Sequence, residues 1–172
     1  MASRQRREIE IEVFAQRDVI IGRLSTKEDR LSDTLNYELP HLLVLADASS
    51  TPLESPGEPA LRSAFVHLNT PAIAFTIPRT PEPNLEERRQ SRGFEYVEKE
   101  QHQVLVSLPP FKLEGYLHLP KGDDVERSLW ALTPSFVPLT DVSVTFTPRL
   151  EVSWHREVVI LNRRKAQIML PS

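Results

Sequence analysis

The chain has 172 residues, 40% of them apolar and 26% charged, with a net charge of −3. That composition predicts a packed core rather than disorder and argues against a dedicated nucleic-acid binder, whose footprint is a basic surface. There are no cysteines, which excludes disulfides, thiolate metal sites and a cysteine nucleophile. The first residues, MASRQRREIEIEV, carry Arg4, Arg6 and Arg7 with no apolar run behind them, so the reading is a solvated basic tip and not a secretory signal. No apolar stretch reaches spanning length, and a cytoplasmic protein is the expectation. Fifteen prolines cut the chain into pieces too short for long helices but suited to strands and turns.

EIEIEVF alternates strictly and predicts a strand with one wet face. VIIGRL follows as a second strand, with Gly22 marking a bend. Residues 29–39 suit one or two helical turns with Leu31 and Leu35 on one face, stopped by Pro40. HLLVLADA reads as a buried strand, 49–63 as a loop, and AFVHLN and AIAFTIP as strands separated by Thr70 and Pro71. Residues 79–101 are dense in mixed charge and read as a linker, with a helical turn around NLEERRQ. The pattern then restarts. QVLVSL and FKLEGYLHL are strands, the latter holding Gly115. DVERSLWAL is short and helix-compatible. SFVPLTD, VSVTF, LEVSW, EVVILN and AQIMLP complete the strands, with VSVTF and LEVSW assigned to contact between the two halves.

The restart keeps register. Gly22 and Gly115, Asn69 and Asn162, and Pro78 and Pro171 all stand 93 apart. With one inserted residue, Leu35 and Leu129, Pro40 and Pro134, Leu45 and Leu139, and Asp47 and Asp141 stand 94 apart. Spacing held through an insertion predicts a duplicated unit. The expected architecture is all-β: two five-stranded small barrels, each with a short helical turn, packed together. The expected boundaries are 1–78 for the first barrel, 79–101 for the linker and 102–172 for the second barrel.

GRLSTKEDRLSDTLN, HLLVLAD and FVHLNTPAI resemble an Sm-like or SH3-like small barrel. GYLHL, SFVPLTD and VVILNRRKAQI are similar to a family of small bacterial barrel domains without assigned function. The Sm-like resemblance implies that Asp33, Asn36 and the turn near Asn69 face RNA bases. The chain departs from that pattern. Pro40 interrupts the run from Asn36 to the next strand, and the second copy has Glu126 and Trp130 near the matching places. An Arg-Gly pair is missing at Asn69-Thr70 and at Asn162-Arg163.

The chemistry-bearing motifs are sparse. His41, His67, His102, His118 and His155 lack metal-ligand spacing. No phosphate-cradling glycine loop and no nucleophile elbow occurs. Asp123-Asp124 beside Gly122 reads as a helix cap rather than a cation site, and Glu28, Asp29 and Asp33 as a solvated loop. Asn69 and Asn162 read as tight-link residues. The most basic cluster is Arg163, Arg164 and Lys165, with Trp154 and Arg156 nearby in sequence as a surface for a protein partner or an anion. The functional expectation is a non-enzymatic scaffold or accessory subunit that binds another protein, with room for homo-oligomers and with no catalytic residue, metal or cofactor. Two alternatives are RNA or single-stranded DNA binding through 163–165, and an enzyme with a site between the barrels.

Overall fold

The computed structural model describes residues 5–171 except 56, 59 and 84–96. The helical turn expected around NLEERRQ lies outside the described residues.

Alternation sets the strands. β1 (Arg7–Ala15) sends Ile9, Ile11 and Val13 inward and Glu8 and Glu10 outward. It pairs with β2 (Asp18–Thr26), which pairs with β3 (Leu42–Pro52), which pairs with β4 (Leu61–Asn69), all antiparallel. Between β2 and β3, α1 (Leu31–Asp33) continues as a wider helical turn over Thr34–Glu38. A 3-10 turn, Thr70–Ala72, leads into β5 (Ile73–Pro78). The second half follows with β6 (Lys99–Leu108), β7 (Phe111–Pro120), α2 (Val125–Ala131), β8 (Phe136–Phe146) and β9 (Ser153–Asn162). A 3-10 turn, Arg163–Lys165, then leads into β10 (Gln167–Met169). SFVPLTD and VSVTF are thus one strand, and so are the ends of LEVSW and EVVILN. The strand expected over QVLVSL begins earlier, at Lys99, within the residues expected as linker.

The strands do not close into the two small barrels expected. They build one open sheet of ten in the order β10-β6-β7-β8-β9-β5-β1-β2-β3-β4. Closing the first half would need β5 to pair with β4. Its free edge instead takes β9, through Phe75 opposite Leu161 and Thr76 opposite Ile160. Each half nevertheless runs in the same relative order, β5-β1-β2-β3-β4 and β10-β6-β7-β8-β9.

The glycine bends occupy matching places. Opposite Gly22 the β2–β3 register shifts between Ile21 and Arg23, and opposite Gly115 the β7–β8 register shifts between Glu114 and Tyr116. A Cβ on Gly22 would stand 2.9 Å from the Cβ of Leu45, and one on Gly115 would stand 3.0 Å from the Thr140 carbonyl oxygen. At both bulges an aspartate has positive φ, 47° at Asp47 and 53° at Asp141. Aspartate tolerates that region better than most side chains, and an extra residue in one strand increases its bend. One sequence match is off register. Ile77 faces Glu12, and Met169 faces Leu105, which places Leu170 and not Pro171 at the position of Pro78. The cause is Ala74, an extra residue at the β1–β5 register shift that β10 lacks.

The core lies in two clusters, and both halves build each. Ile11, Leu24, Leu35 and Leu45 of the first half are sealed by Phe136 and Ile160 of the second. Val106, Leu117, Leu139 and Phe146 of the second half pack with Phe14 and Phe75 of the first. Phe14 stacks on Phe75 at 4.4 Å and meets Phe111 edge-on at 5.9 Å. Such aromatic pairs add about 0.5–1.5 kcal/mol each beyond the area they bury. Contact between the halves therefore comes partly from Trp154, on one of the two segments expected to supply it, and largely from phenylalanines on β1, β5 and β7.

Candidate functional site

The sequence-predicted cluster is divided by the fold. Arg163 is partly consumed by structure: its backbone N–H donates to the Ser135 carbonyl at 2.8 Å and its Nε–H to the Pro134 carbonyl at 3.2 Å. Thr70 makes the same two contacts in the first half, from its N–H to His41 at 3.0 Å and from its hydroxyl to Pro40 at 2.5 Å. Arg164 and Lys165 are exposed on the turn. Trp154 and Arg156 are not beside them. Trp154 opens β9, and the eight residues to Asn162 span roughly 26 Å of extended chain. The Trp154 ring stacks on Phe14 at 5.5 Å, within the core junction. Arg156 lies on the same face, with Nη2 3.7 Å from a Glu12 carboxylate oxygen. The basic tip is likewise engaged, since Arg7 donates to the Glu28 and Asp29 carbonyls at 3.0 and 2.5 Å. Arg4 lies outside the described residues.

Of the residues that the Sm-like resemblance places toward RNA, Asn36 is bonded at the junction between the halves. The Asn36 amide nitrogen donates to the Phe136 carbonyl at 2.8 Å, and its oxygen accepts from the Phe136 N–H at 2.9 Å. One side chain thus stands in for a strand neighbour at the start of β8. Asn162 is 2% exposed; its nitrogen donates to the Ile73 carbonyl at 2.8 Å and its oxygen accepts from the Arg164 N–H. Asn69 and Asn162, expected as tight-link residues, both have ordinary negative φ at their turns, so conformational tolerance is not their role. Asn69, the counterpart of Asn162, is exposed. Asp124 caps α2, its Oδ1 accepting from the Arg127 N–H at 2.8 Å, which is the role expected for it.

Beside the junction runs a groove of about 1160 Å³, lined by Arg30, Asn36, Tyr37, His118, Phe136 and Arg156 among others. Part of its wall is Pro83 and Val97, the residues flanking 84–96. His118 is held there with Nε2 2.7 Å from the Thr140 hydroxyl. Burial, helped by Lys99 and Arg30, pushes its pKa below the usual imidazole value, so the ring is neutral at pH 7. Glu38 lies at the mouth of the β2–α1 loop. Burial is the largest influence on it and opposes ionisation. Hydrogen bonds from the Thr26 hydroxyl and the Lys27 N–H, with Arg6 nearby, outweigh that and hold its carboxyl below the ordinary range. Among the described residues no group of three or more His, Cys, Asp or Glu could hold a metal, and no helix is long and apolar enough to cross a membrane.

The most conspicuous surface feature is one that sequence reading passed over. Among the described residues the sheet ends in two unpaired edges, β4 and β10. On the β4 side, register puts Leu42 opposite Asn69, Val44 opposite His67 and Ala46 opposite Phe65, all on one face. Leu42, Val44, Leu61 and Phe65 are exposed there. At the β10 side Met169 and Leu170 are exposed, with Trp130 on α2 83% exposed. Alternation alone labels Phe65 and Val44 as ordinary wet-face or buried positions; only knowing which strand is last makes them an edge.

No protein-family model matches the chain, and no curated protein and no solved structure matches it.

Proposed function

We propose that this chain is a non-enzymatic interaction module, a tandem repeat of five-stranded units of the SH3-like or Sm-like type, that works by binding protein at the ends of its sheet. The observation that carries this reading is the open β4 edge with its exposed apolar face, Leu42, Val44 and Phe65. Edges of this kind are normally blunted by proline, lysine or a covering element, because a row of unpaired backbone groups templates strand addition. β4, LRSAFVHLN, has neither proline nor lysine. The matched strand order, the paired glycine bends and the two positive-φ aspartates support the tandem-repeat part of the reading.

The groove is where an enzymatic reading would have to begin. Its asparagine and histidine are already engaged by Phe136 and Thr140, which favours the interaction reading. The test is a photo-crosslinking residue placed at Phe65 in the chain expressed in its own cells. Protein adducts at Phe65, absent from a control position on the exposed face of β7 such as Lys112, are expected. Equal labelling at both positions overturns the reading.

A further inference from the structure

We infer that the partner at these edges is a second copy of this chain, joined head to tail, with β4 of one molecule pairing with β10 of the next. This rests on the interaction reading above and names its partner. The template is the β5–β9 junction inside the molecule. There the first half presents β5 and α1, and the second half covers them with β9 and the start of β8. Carried along the repeat, the second half presents β10 and α2 at one end of the sheet. The first half presents β4 and the start of β3 at the other. The two ends are therefore complementary to each other and not to themselves.

Burial follows this logic. Phe136, which seals the first core, is 4% exposed, whereas its counterpart Leu42 is 42% exposed. Leu35, on the helical turn that continues α1, is buried, whereas Leu129 on α2 is half-buried beside the exposed Trp130. Val158 packs on the first core, and its counterpart Phe65 is 64% exposed. Asn162 bonds across the junction to the Ile73 carbonyl, and its counterpart Asn69 stands exposed, placed to bond the Ala166 carbonyl of the next molecule. Transferring the junction register sets His67 opposite Ile168 and Leu68 opposite Gln167.

The opposite face of the junction is not retained. Where Phe14 faces Phe75, the second half has Ser107 facing Gln167. The intermolecular contact thus keeps the β3–β4 and α2 side and lacks the phenylalanine stack. It is weaker than the internal junction and depends on concentration. A contact between unlike ends closes into a ring or grows as a filament.

The absence of native cysteine makes the test direct. Purified H67C and I168C chains, mixed and oxidised, are expected to give a disulfide-linked dimer, and neither alone is expected to do so. A double H67C/I168C chain is expected to give a ladder. Sedimentation of the unmodified chain is expected to show species beyond a dimer as concentration rises. F65E and W130E, at exposed positions, are each expected to shift it to monomer without changing its circular dichroism. A dimer from H67C alone indicates twofold edge pairing and overturns the inference, as does a monomer at every concentration. If the pure chain stays monomeric while Phe65 crosslinks to a different protein in cells, this inference falls and the interaction reading stands.

Discussion

The two helical segments hold the same place in their halves and meet different fates. Leu31 and Leu35 of the first are buried, and Asn36 beside them is bonded to β8 on both sides. α2 buries no residue fully, and Trp130 projects into solvent. Amphipathic pattern does not separate them, since Val125 and Leu129 repeat the Leu31 and Leu35 spacing. What separates them is a neighbour: the first segment has the second half against it, and the second segment reaches the end of the sheet. The same contrast divides β9 from β4 and β5 from β10. A position's burial here depends on which half it occupies more than on its own residue type.

The contrast can be broken by paired substitutions, read by chemical denaturation at low protein concentration so that association does not add to stability. The largest difference is expected between Phe75→Ala and Gln167→Ala. Phe75 is buried against Phe14 and Phe111, and its loss should cost about 3–5 kcal/mol. Gln167 is exposed and its loss should cost less than about 0.5 kcal/mol. Equal costs would mean that the phenylalanine stack does not hold the halves together. Next come the two asparagines. Asn162→Ala leaves the Ile73 carbonyl and the Arg164 N–H without their partner and should cost about 1–3 kcal/mol, whereas Asn69→Ala should leave the monomer's stability unchanged.

The smallest effect is in pH. His118 has a folded-state pKa below the ordinary imidazole value of 6.5, so on acidification the unfolded chain binds that proton first. Its contribution is whole above about pH 6.5 and is lost as pH falls through the lowered folded value. Glu38, also lowered, adds a loss at more acid pH, below the ordinary glutamate value of 4.5. His118→Gln should flatten the stability profile between pH 7 and 5 and leave the more acid limb in place. The first half has Ser25 and Ala46 where the second has His118 and Thr140, so this slope belongs to one half alone. An unchanged slope in His118→Gln would remove that asymmetry.

Much of the fold was legible because it is local. Ile9, Ile11 and Val13 alternate with glutamates, and any half-buried strand must do so. Gly22 and Gly115 mark the bends because a Cβ there would strike the next strand. Asp47 and Asp141 were found as matched residues, and the backbone shows what they share. The site was much less legible. Asn36 carries no sign that its partner is Phe136, 100 residues away. Trp154 and Arg163 sit close in sequence, yet an extended strand carries them apart, so proximity along the chain misled where a helix would have kept them near.

By itself the sequence determined the middle of each strand, the bends, the repeat spacing and the inward side of each strand, because period-two burial and glycine sterics act between near neighbours. The ends of β3 and β4, residues 49–52 and 61–63, fall in the expected loop of 49–63 and are strand because β3 pairs there with β2 and β4. The tertiary structure decided how the halves join. Edge pairing between β5 and β9 satisfies backbone groups that every strand possesses, so nothing in their side chains announces it. That choice opened the sheet, placed Phe14 and Phe75 inside and left Leu42, Phe65 and Trp130 outside.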